Sequence, residues 1–177
     1  MKHVRALLLG GSTIADQVDA SGKPSRTDLA EYIRSMHEFG GNIEISIVAR
    51  EDIAAGYGMQ IPDVLEIVRE VRKAIDEDQA DGVVIIMGTD CMEEAAFAFE
   101  TLLQTDVPVV VTGAMRVATA RGAEGPANLL NAIRAQVNDK RQYAQKRLIE
   151  EMCASEPFGV DKLGSEERAK SITVPRL

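Results

Sequence analysis

Short apolar runs alternate along this chain with longer stretches of helical periodicity. Four runs are predicted as strands: Val4–Leu9, Ile43–Val48, Gly82–Met87 and Val107–Thr112. Four stretches are predicted as helices: Thr27–Phe39, Pro62–Ile75, Met92–Leu103 and Ala127 to about Glu150. Among the predicted strands, Gly82–Met87 and Val107–Thr112 are apolar almost throughout, which is typical of strands buried on both faces. This alternation predicts an α/β fold of three layers, a parallel sheet with helices on both faces.

The predicted topology also indicates where a ligand would bind. In open parallel sheets, ligands bind in the crevice outside the carboxyl ends of the strands. We therefore expect functional residues in the loops that follow Leu9, Val48, Met87 and Thr112.

Length and composition are those of a single globular domain with a packed core. The chain has 177 residues, of which 45% are hydrophobic and 27% charged. Chains of about this size bury roughly 70% of the surface that they expose when unfolded. We predict a domain over residues 1–137 and a charged tail, helical or extended, over residues 138–177.

The charge distribution argues against nucleic-acid binding. The net charge is −8, and the residues up to Gln136 contain 12 basic and 21 acidic side chains. A protein that binds nucleic-acid phosphates is expected to carry a stripe of Lys and Arg side chains on its surface. The densest basic cluster, around Lys140 and Arg147, is interleaved with helix-forming polar residues and is interpreted as a solvated helix face.

The sequence shows no clear pattern for membrane targeting or for disulfide bonds. The apolar run Ala6–Leu9 is shorter than a signal-peptide core, and no stretch approaches the ~18 apolar residues of a membrane span. The two cysteines, Cys91 and Cys153, give no disulfide framework. We expect a cytoplasmic protein that contacts no membrane.

With His3 and His37 as its only histidines, the chain shows no metal-ligand spacing, and we expect no metal and no cofactor.

The first candidate motif ends the first strand, as Gly10-Gly11-Ser12-Thr13. Two glycines allow a tight turn and the close approach of a ligand, and two hydroxyl residues follow at the strand's carboxyl end. The alternative is a glycine turn in which the hydroxyls bond to nearby backbone groups. The spacing is neither that of a phosphate loop nor G-x-G-x-x-G.

The second candidate motif ends the third strand, as Gly88-Thr89-Asp90 before a predicted helix. It places a hydroxyl and a carboxylate side by side at a second carboxyl edge. The alternative is helix capping by Thr89 or Asp90, completed by Glu93 or Glu94.

Together with later segments, these motifs resemble the amino-terminal domain of the bacterial-type L-asparaginases. That family has a T-G-G-T-I-A turn, an H-G-T-D-T-M-E-E turn, and a G-A-M-R segment followed by D-G-P-x-N-L-x-N-A. The matching segments here are 10–15, 87–94, 113–116 and 124–132. The resemblance covers about residues 1–137. It implies a parallel α/β domain that hydrolyses the side-chain amide of asparagine to aspartate and ammonia, without metal or organic cofactor.

The resemblance also implies roles for single residues. Thr13 matches the nucleophilic threonine, while Thr89 and Asp90 match the second threonine and the aspartate that pairs with a lysine to activate it. Gly56, Tyr57, Gly88 and Asp90 fall at substrate-binding positions. These types suit the chemistry, because a threonine hydroxyl needs a base, a carboxylate can hold an ammonium group, and loop N–H groups can stabilise an oxyanion.

The chain also departs from the family pattern. Gly56 stands where the family has a serine, and the predicted lid over residues 16–23 contains no tyrosine. The catalytic lysine stays unassigned, since nothing around Lys162, the nearest candidate, matches the pattern. We expect no counterpart of the family's second domain. Two function classes remain open, an amidohydrolase and a non-catalytic amino-acid-binding or scaffold protein, and the joint retention of Thr13, Thr89 and Asp90 favours the amidohydrolase. Uncovered apolar helix surface predicts a homo-oligomer.

Overall fold

A computed structural model describes residues 1–18, 21, 24–26, 31, 33 and 43–136. The strands are β1 (Lys2–Gly10), β2 (Asp16–Val18), β3 (Pro24–Arg26), β4 (Ile43–Ala54), β5 (Gly82–Ile86) and β6 (Val109–Thr112). The helices with described bounds are α1 (Ile61–Asp76), α2 (Met92–Leu103) and α3 (Gly125–Ala135), and a 3₁₀ turn covers Thr13–Ala15.

Four strands form one parallel sheet in the order β4-β1-β5-β6. At its centre, Leu7 of β1 pairs with Val48 of β4 and with Ile85 of β5, and Ile85 pairs with Val111 of β6. The strands β2 and β3 form a separate antiparallel hairpin. The predicted parallel sheet is therefore confirmed.

Helices cover both faces of this sheet. On one face, Leu7 and Ile85 belong to a buried apolar cluster with side chains of α1 and α2. Their neighbours Leu8 and Ile86 are also buried but lie outside that cluster. Because successive strand residues point to opposite faces, these neighbours face the other side, where α3 packs on β6 and buries Ile133 completely. The three-layer prediction is confirmed.

The strand β4 is longer than predicted. It ends at Ala54 instead of Val48, since Leu9 pairs with Arg50 and the next β1 residue, Gly10, pairs with Ala54. Residues 51–53 are thus extra on β4 and form a bulge. We predicted a loop after Val48, but β4 continues along the sheet edge, where charged side chains stay solvated.

Arg50 ties this irregular part of β4 to α1. Its guanidinium pairs with Asp52 at 2.8 Å and with Glu70 at 2.7 Å, and it also pairs with Glu66. Glu66 and Glu70 lie one turn apart on α1, so they face the same neighbour. The position of α1 is therefore coupled to the bulge.

Helix bounds agree with the predictions except at α3. The helix α1 begins one residue before Pro62, and α2 has the predicted bounds. The helix α3 ends at Ala135, where the N–H of Gln136 donates to the Ile133 carbonyl at 3.1 Å. The described helix therefore stops before the predicted end near Glu150, and residues 137–150 of the predicted helix lie outside the described residues.

Two predicted elements lie largely or wholly outside the described residues. Of the predicted helix Thr27–Phe39, only Glu31 and Ile33 are described; both are helical, and Ile33 is buried. The tail over residues 138–177 and its boundary at 137 stay predictions. Among the described helices, none is long and apolar enough to cross a membrane.

Gly10 has no room for a side chain. A Cβ there would lie 2.6 Å from the Glu51 carbonyl oxygen and 2.9 Å from that of Ile53, both backbone atoms of the bulge. We expect Gly10→Ala to lower the free energy of unfolding by about 3 kcal/mol, the cost of overpacking. The matched control is Gly122→Ala, with open space and a φ of +75°, which should cost about 1 kcal/mol. Urea unfolding measures both, and equal losses would contradict the close approach.

Candidate active site

The strand order places a ligand crevice between β1 and β5. The chain passes from β1 to its neighbour β4, and then crosses to the other side of β1 to form β5. Connections leave β1 and β5 in opposite directions, which makes this pair the topological switch point of the sheet. The loops after these strands carry the two motifs singled out from the sequence, which end in Thr13 and Asp90.

Three loops meet around Gly88. Its N–H donates to the Ala55 carbonyl at 2.6 Å. A Cβ on Gly88 would lie 2.6 Å from that carbonyl oxygen, 3.0 Å from the Gly11 carbonyl oxygen and 3.0 Å from the Gly56 Cα. Real side chains do not fit at such distances from backbone atoms. Gly88 therefore lets the loops after β1, β4 and β5 touch, and this contact forms the floor of the candidate site.

The Asp90 carboxylate lies beside this floor. Its Oδ2 atom is 3.3 Å from the point that a Cβ on Gly56 would occupy. Asp90 is exposed, and within the described part of the chain its side chain makes no hydrogen bond or salt bridge. The carboxylate is therefore available to a cationic group of a ligand.

Helix capping does not account for Asp90 or Thr89. The residue at the N-cap position of α2 is Cys91, and no side chain caps the helix. Met92 donates its N–H to the Thr89 backbone carbonyl at 3.4 Å instead. The capping alternative is therefore not supported by the geometry. The partial positive charge of the α2 N-terminus still faces this edge of the sheet.

The two threonines lie on different loops, Thr13 after β1 and Thr89 after β5. Thr13 is half-buried in the 3₁₀ turn, two residues after Gly11. Thr89 is half-buried next to Gly113, where its Cγ2 is 3.3 Å from the position of a Gly113 Cβ. The described contacts join Gly11, Gly88 and the Gly56–Asp90 pair. Thr13 follows Gly11 by two residues and Thr89 follows Gly88 directly, so each threonine lies on a loop that reaches this group.

Gly56 and Tyr57 differ in their placement. Gly56 is buried against the Gly88 loop, next to the Asp90 carboxylate. The Tyr57 side chain is 95% exposed, so the structure does not bring it to the other candidate residues. Of this predicted pair, only Gly56 lies at the floor of the site.

A further residue, Glu124, organises the loop after β6. Its Oε1 accepts hydrogen bonds from the Met115 N–H at 2.5 Å and the Arg116 N–H at 3.1 Å. Asn128, one turn into α3, donates to the Gly113 carbonyl at 3.0 Å. The two side chains hold the loop from Gly113 to Arg116 against Thr89. This role of Glu124 was not predicted from the sequence. The match of segment 124–132 to the family pattern was the signal that pointed to this part of the chain.

The pKa of Glu124 is lowered. Burial acts to raise it, but hydrogen bonds that the carboxylate accepts from backbone N–H groups, including those of Met115 and Arg116, outweigh that effect. The charge of Arg116 lowers the pKa further. The ionised carboxylate is therefore the form that the fold stabilises.

The described residues form no metal site. In the ranges 1–18 and 43–136 and the few described residues between them, no three His, Cys, Asp or Glu side chains are grouped so that they could hold a metal ion. The loops at the switch point carry hydroxyl groups and a carboxylate, those of Thr13, Thr89 and Asp90. This set suits a small ligand with a cationic end and a polar carbonyl.

The fold and the site define an α/β domain with a ligand crevice at its switch point, and a family match identifies it further. The family model "Asparaginase, N-terminal" matches residues 4–167. The chain therefore belongs to the asparaginase family, in which it corresponds to the N-terminal domain. The match extends past the predicted boundary at residue 137.

Similar proteins agree with this assignment. L-asparaginase 2 of Bacillus subtilis is 31% identical over 144 residues, which cover 76% of this chain and 36% of that protein. Glutaminase-asparaginase of Pseudomonas fluorescens biotype A is 34% identical over 134 residues, 72% of this chain and 36% of its own length. The structure of a probable cytoplasmic L-asparaginase from Campylobacter jejuni has a TM-score of 0.66 at 30% identity and covers 80% of this chain.

The matched part is a minority of each relative. This chain spans 36% of the two curated relatives and 44% of the Campylobacter jejuni chain.

Glu124 should make the stability of the protein depend on pH in the acid range. Because its pKa is lower in the folded protein than the ordinary 4.5, its contribution is complete above about pH 4.5 and is lost as pH falls through the folded pKa. We expect Glu124→Gln to cost about 1 to 3 kcal/mol near pH 7, with a gap to the parent that narrows below pH 4.5.

The control is Glu44→Gln, which removes the same charge from an exposed position on β4. Urea unfolding at a series of pH values measures all three proteins. A gap between Glu124→Gln and the parent that stays constant from pH 7 to pH 3 would contradict the role of the ionised carboxylate.

Proposed function

We propose that this chain takes part in hydrolysis of the side-chain amide of asparagine, with Thr13 as the nucleophile. The observation that carries the proposal is the meeting of the Gly11, Gly56 and Gly88 loops at the switch point, beside an Asp90 carboxylate without a hydrogen-bond partner in the described part of the chain. Both motifs that resemble asparaginase turns end at this crevice. Relatives named L-asparaginase and glutaminase-asparaginase support the reaction class.

In the proposed reaction, the Thr13 hydroxyl oxygen attacks the side-chain amide carbon. Its proton passes to a base, the carbon–nitrogen bond breaks, and the nitrogen leaves as ammonia after protonation. The resulting ester on Thr13 is then hydrolysed by water, which gives aspartate and restores the hydroxyl. Backbone N–H groups of the glycine loops are donors for the oxyanion that forms in each half of the reaction.

Asp90 has the charge needed at the other end of the substrate. Its carboxylate attracts the substrate's α-ammonium group, and it can equally orient the base that activates a threonine. Thr89, on the same loop, is proposed as the second catalytic hydroxyl. Gly56 and Gly88 contribute backbone to the binding site, since neither has a side chain to offer. No metal or organic cofactor is part of this proposal.

Assembly and location belong to the same proposal. Ile61 and Phe97, on α1 and α2, are 73% and 67% exposed, and burial of these apolar side chains against a second copy would favour self-association. A homo-oligomer would also let one copy complete the site of another. The description of the Campylobacter jejuni relative as cytoplasmic supports a cytoplasmic location here.

Removal of the Thr13 hydroxyl tests the nucleophile. We expect Thr13→Ala to lower ammonia release from asparagine by at least about 10³-fold, because covalent catalysis is lost. Thr13→Ser keeps the hydroxyl and should retain far more activity than Thr13→Ala. Purified parent and variants are compared by ammonia release, and thermal unfolding checks that each is folded. Parent-like turnover by Thr13→Ala would exclude Thr13 as nucleophile.

Removal of the Asp90 charge tests the second motif. Asp90→Asn keeps the size of the side chain, and we expect turnover to fall by roughly 10² to 10⁴ with unfolding unchanged. The control is Glu94→Gln, which removes the same charge from an exposed position in the first turn of α2. An Asp90→Asn variant that melts and hydrolyses asparagine like the parent would remove Asp90 from the site.

A further inference from the structure

The Cys91 thiol connects two of the loops that form the site floor. It donates to the Gly56 carbonyl oxygen at a distance of 3.4 Å from Sγ, and Sγ also lies 3.6 Å from the Met59 Sδ. The same Gly56 oxygen accepts the Met59 N–H at 3.1 Å, which closes the turn between them. Cys91 thus holds the turn from Gly56 to Met59 from the side of the Asp90 loop.

This connection lies next to the Asp90 carboxylate. Cys91 follows Asp90 directly, and Gly56 is the residue whose missing Cβ would lie 3.3 Å from Asp90 Oδ2. A small shift of the turn changes the distance between the Gly56 backbone and the carboxylate. The thiol therefore contacts this turn at the charged end of the site.

The thiol is in the form that can donate. Cys91 is half-buried, and burial, followed by the negative charges of Glu94, Asp90 and Glu93, raises its pKa. At neutral pH the sulfur thus keeps its proton. A thiolate could not make this hydrogen bond, because it has no proton to donate.

We infer that Cys91 is a positioning residue that holds the Gly56 turn at the correct distance from Asp90 for the amino-acid end of the substrate. The inference rests on the proposed function. It adds a role for the residue that directly follows the Gly88-Thr89-Asp90 motif. The other described tie between these loops, from Gly88 N–H to the Ala55 carbonyl, is made by backbone alone. Substitution of Cys91 therefore removes the side-chain tie and leaves the backbone tie in place.

The test compares Cys91→Ala with Cys91→Thr. Threonine keeps a donor and is the residue that the resembled family motif has at this position. We expect Cys91→Ala to raise KM for asparagine about 3- to 10-fold, the equivalent of one hydrogen bond, with a smaller change in kcat. Amide hydrogen exchange in a peptide over residues 55–61 should become faster. Cys91→Thr should restore both values toward those of the parent.

The matched control is Thr101→Ala, which removes a side-chain hydrogen bond to backbone at the far end of α2, from Thr101 Oγ1 to the Phe97 carbonyl at 2.8 Å. It should change neither KM nor exchange in residues 55–61. Unchanged exchange in Cys91→Ala, or unchanged KM in an active parent background, would overturn the inference. So would a Cys91→Thr variant as impaired as Cys91→Ala.

The proposed function can fail separately. A parent that releases no ammonia refutes the amidohydrolase activity by itself, and Cys91 is then judged by calorimetric binding of aspartate. Weaker aspartate binding by Cys91→Ala than by the parent would support the positioning role, and equal binding would overturn it. A parent that neither hydrolyses asparagine nor binds aspartate would overturn both.

Discussion

The close approach of backbone at Gly88 is the constraint on which the site depends. A side chain at this position would overlap the Ala55 and Gly11 carbonyls, so the three loops can meet only because the residue is glycine. The hydrogen bond from Gly88 to Ala55 holds this contact, and parallel pairing of β1 with β4 and β5 brings the loops to the same edge of the sheet. Side chains that extend from these loops therefore share one crevice.

Two groups of side-chain contacts outside the crevice support this arrangement. On one side, Arg50 binds acidic residues of α1 and couples that helix to the bulge opposite Gly10. On the other side, Glu124 and Asn128 bind backbone of the loop after β6. Both groups of contacts fix the geometry of backbone outside the crevice, and we expect the ionised Glu124 carboxylate to add stability as well. Neither group of contacts uses the side chain of Thr13, Thr89 or Asp90.

Predictions from local pattern succeeded where one physical effect dominated. The core strands β1 and β5 are apolar because both faces are covered, and the bounds of α2 follow from its buried face, so these elements were predicted closely. The end of β4 was predicted wrongly because Arg50 and its neighbours are polar, and polarity does not separate a solvated edge strand from a loop. The described end of α3 at Ala135 was also not predicted, since the sequence after Ala135 continues to favour helix.

The sequence by itself determined the layer architecture and the two carboxyl-edge motifs, because hydrophobic periodicity and glycine position are local properties that a chain carries before it folds. The tertiary structure decided which groups actually meet. It placed Gly56 beside Asp90 and left Tyr57 in solvent, assigned the Cys91 thiol to the Gly56 carbonyl, and gave Glu124 its backbone donors. These contacts join residues on different loops whose separation depends on strand order and register. Such distances are set by the packing of the whole sheet, so no local pattern could specify them.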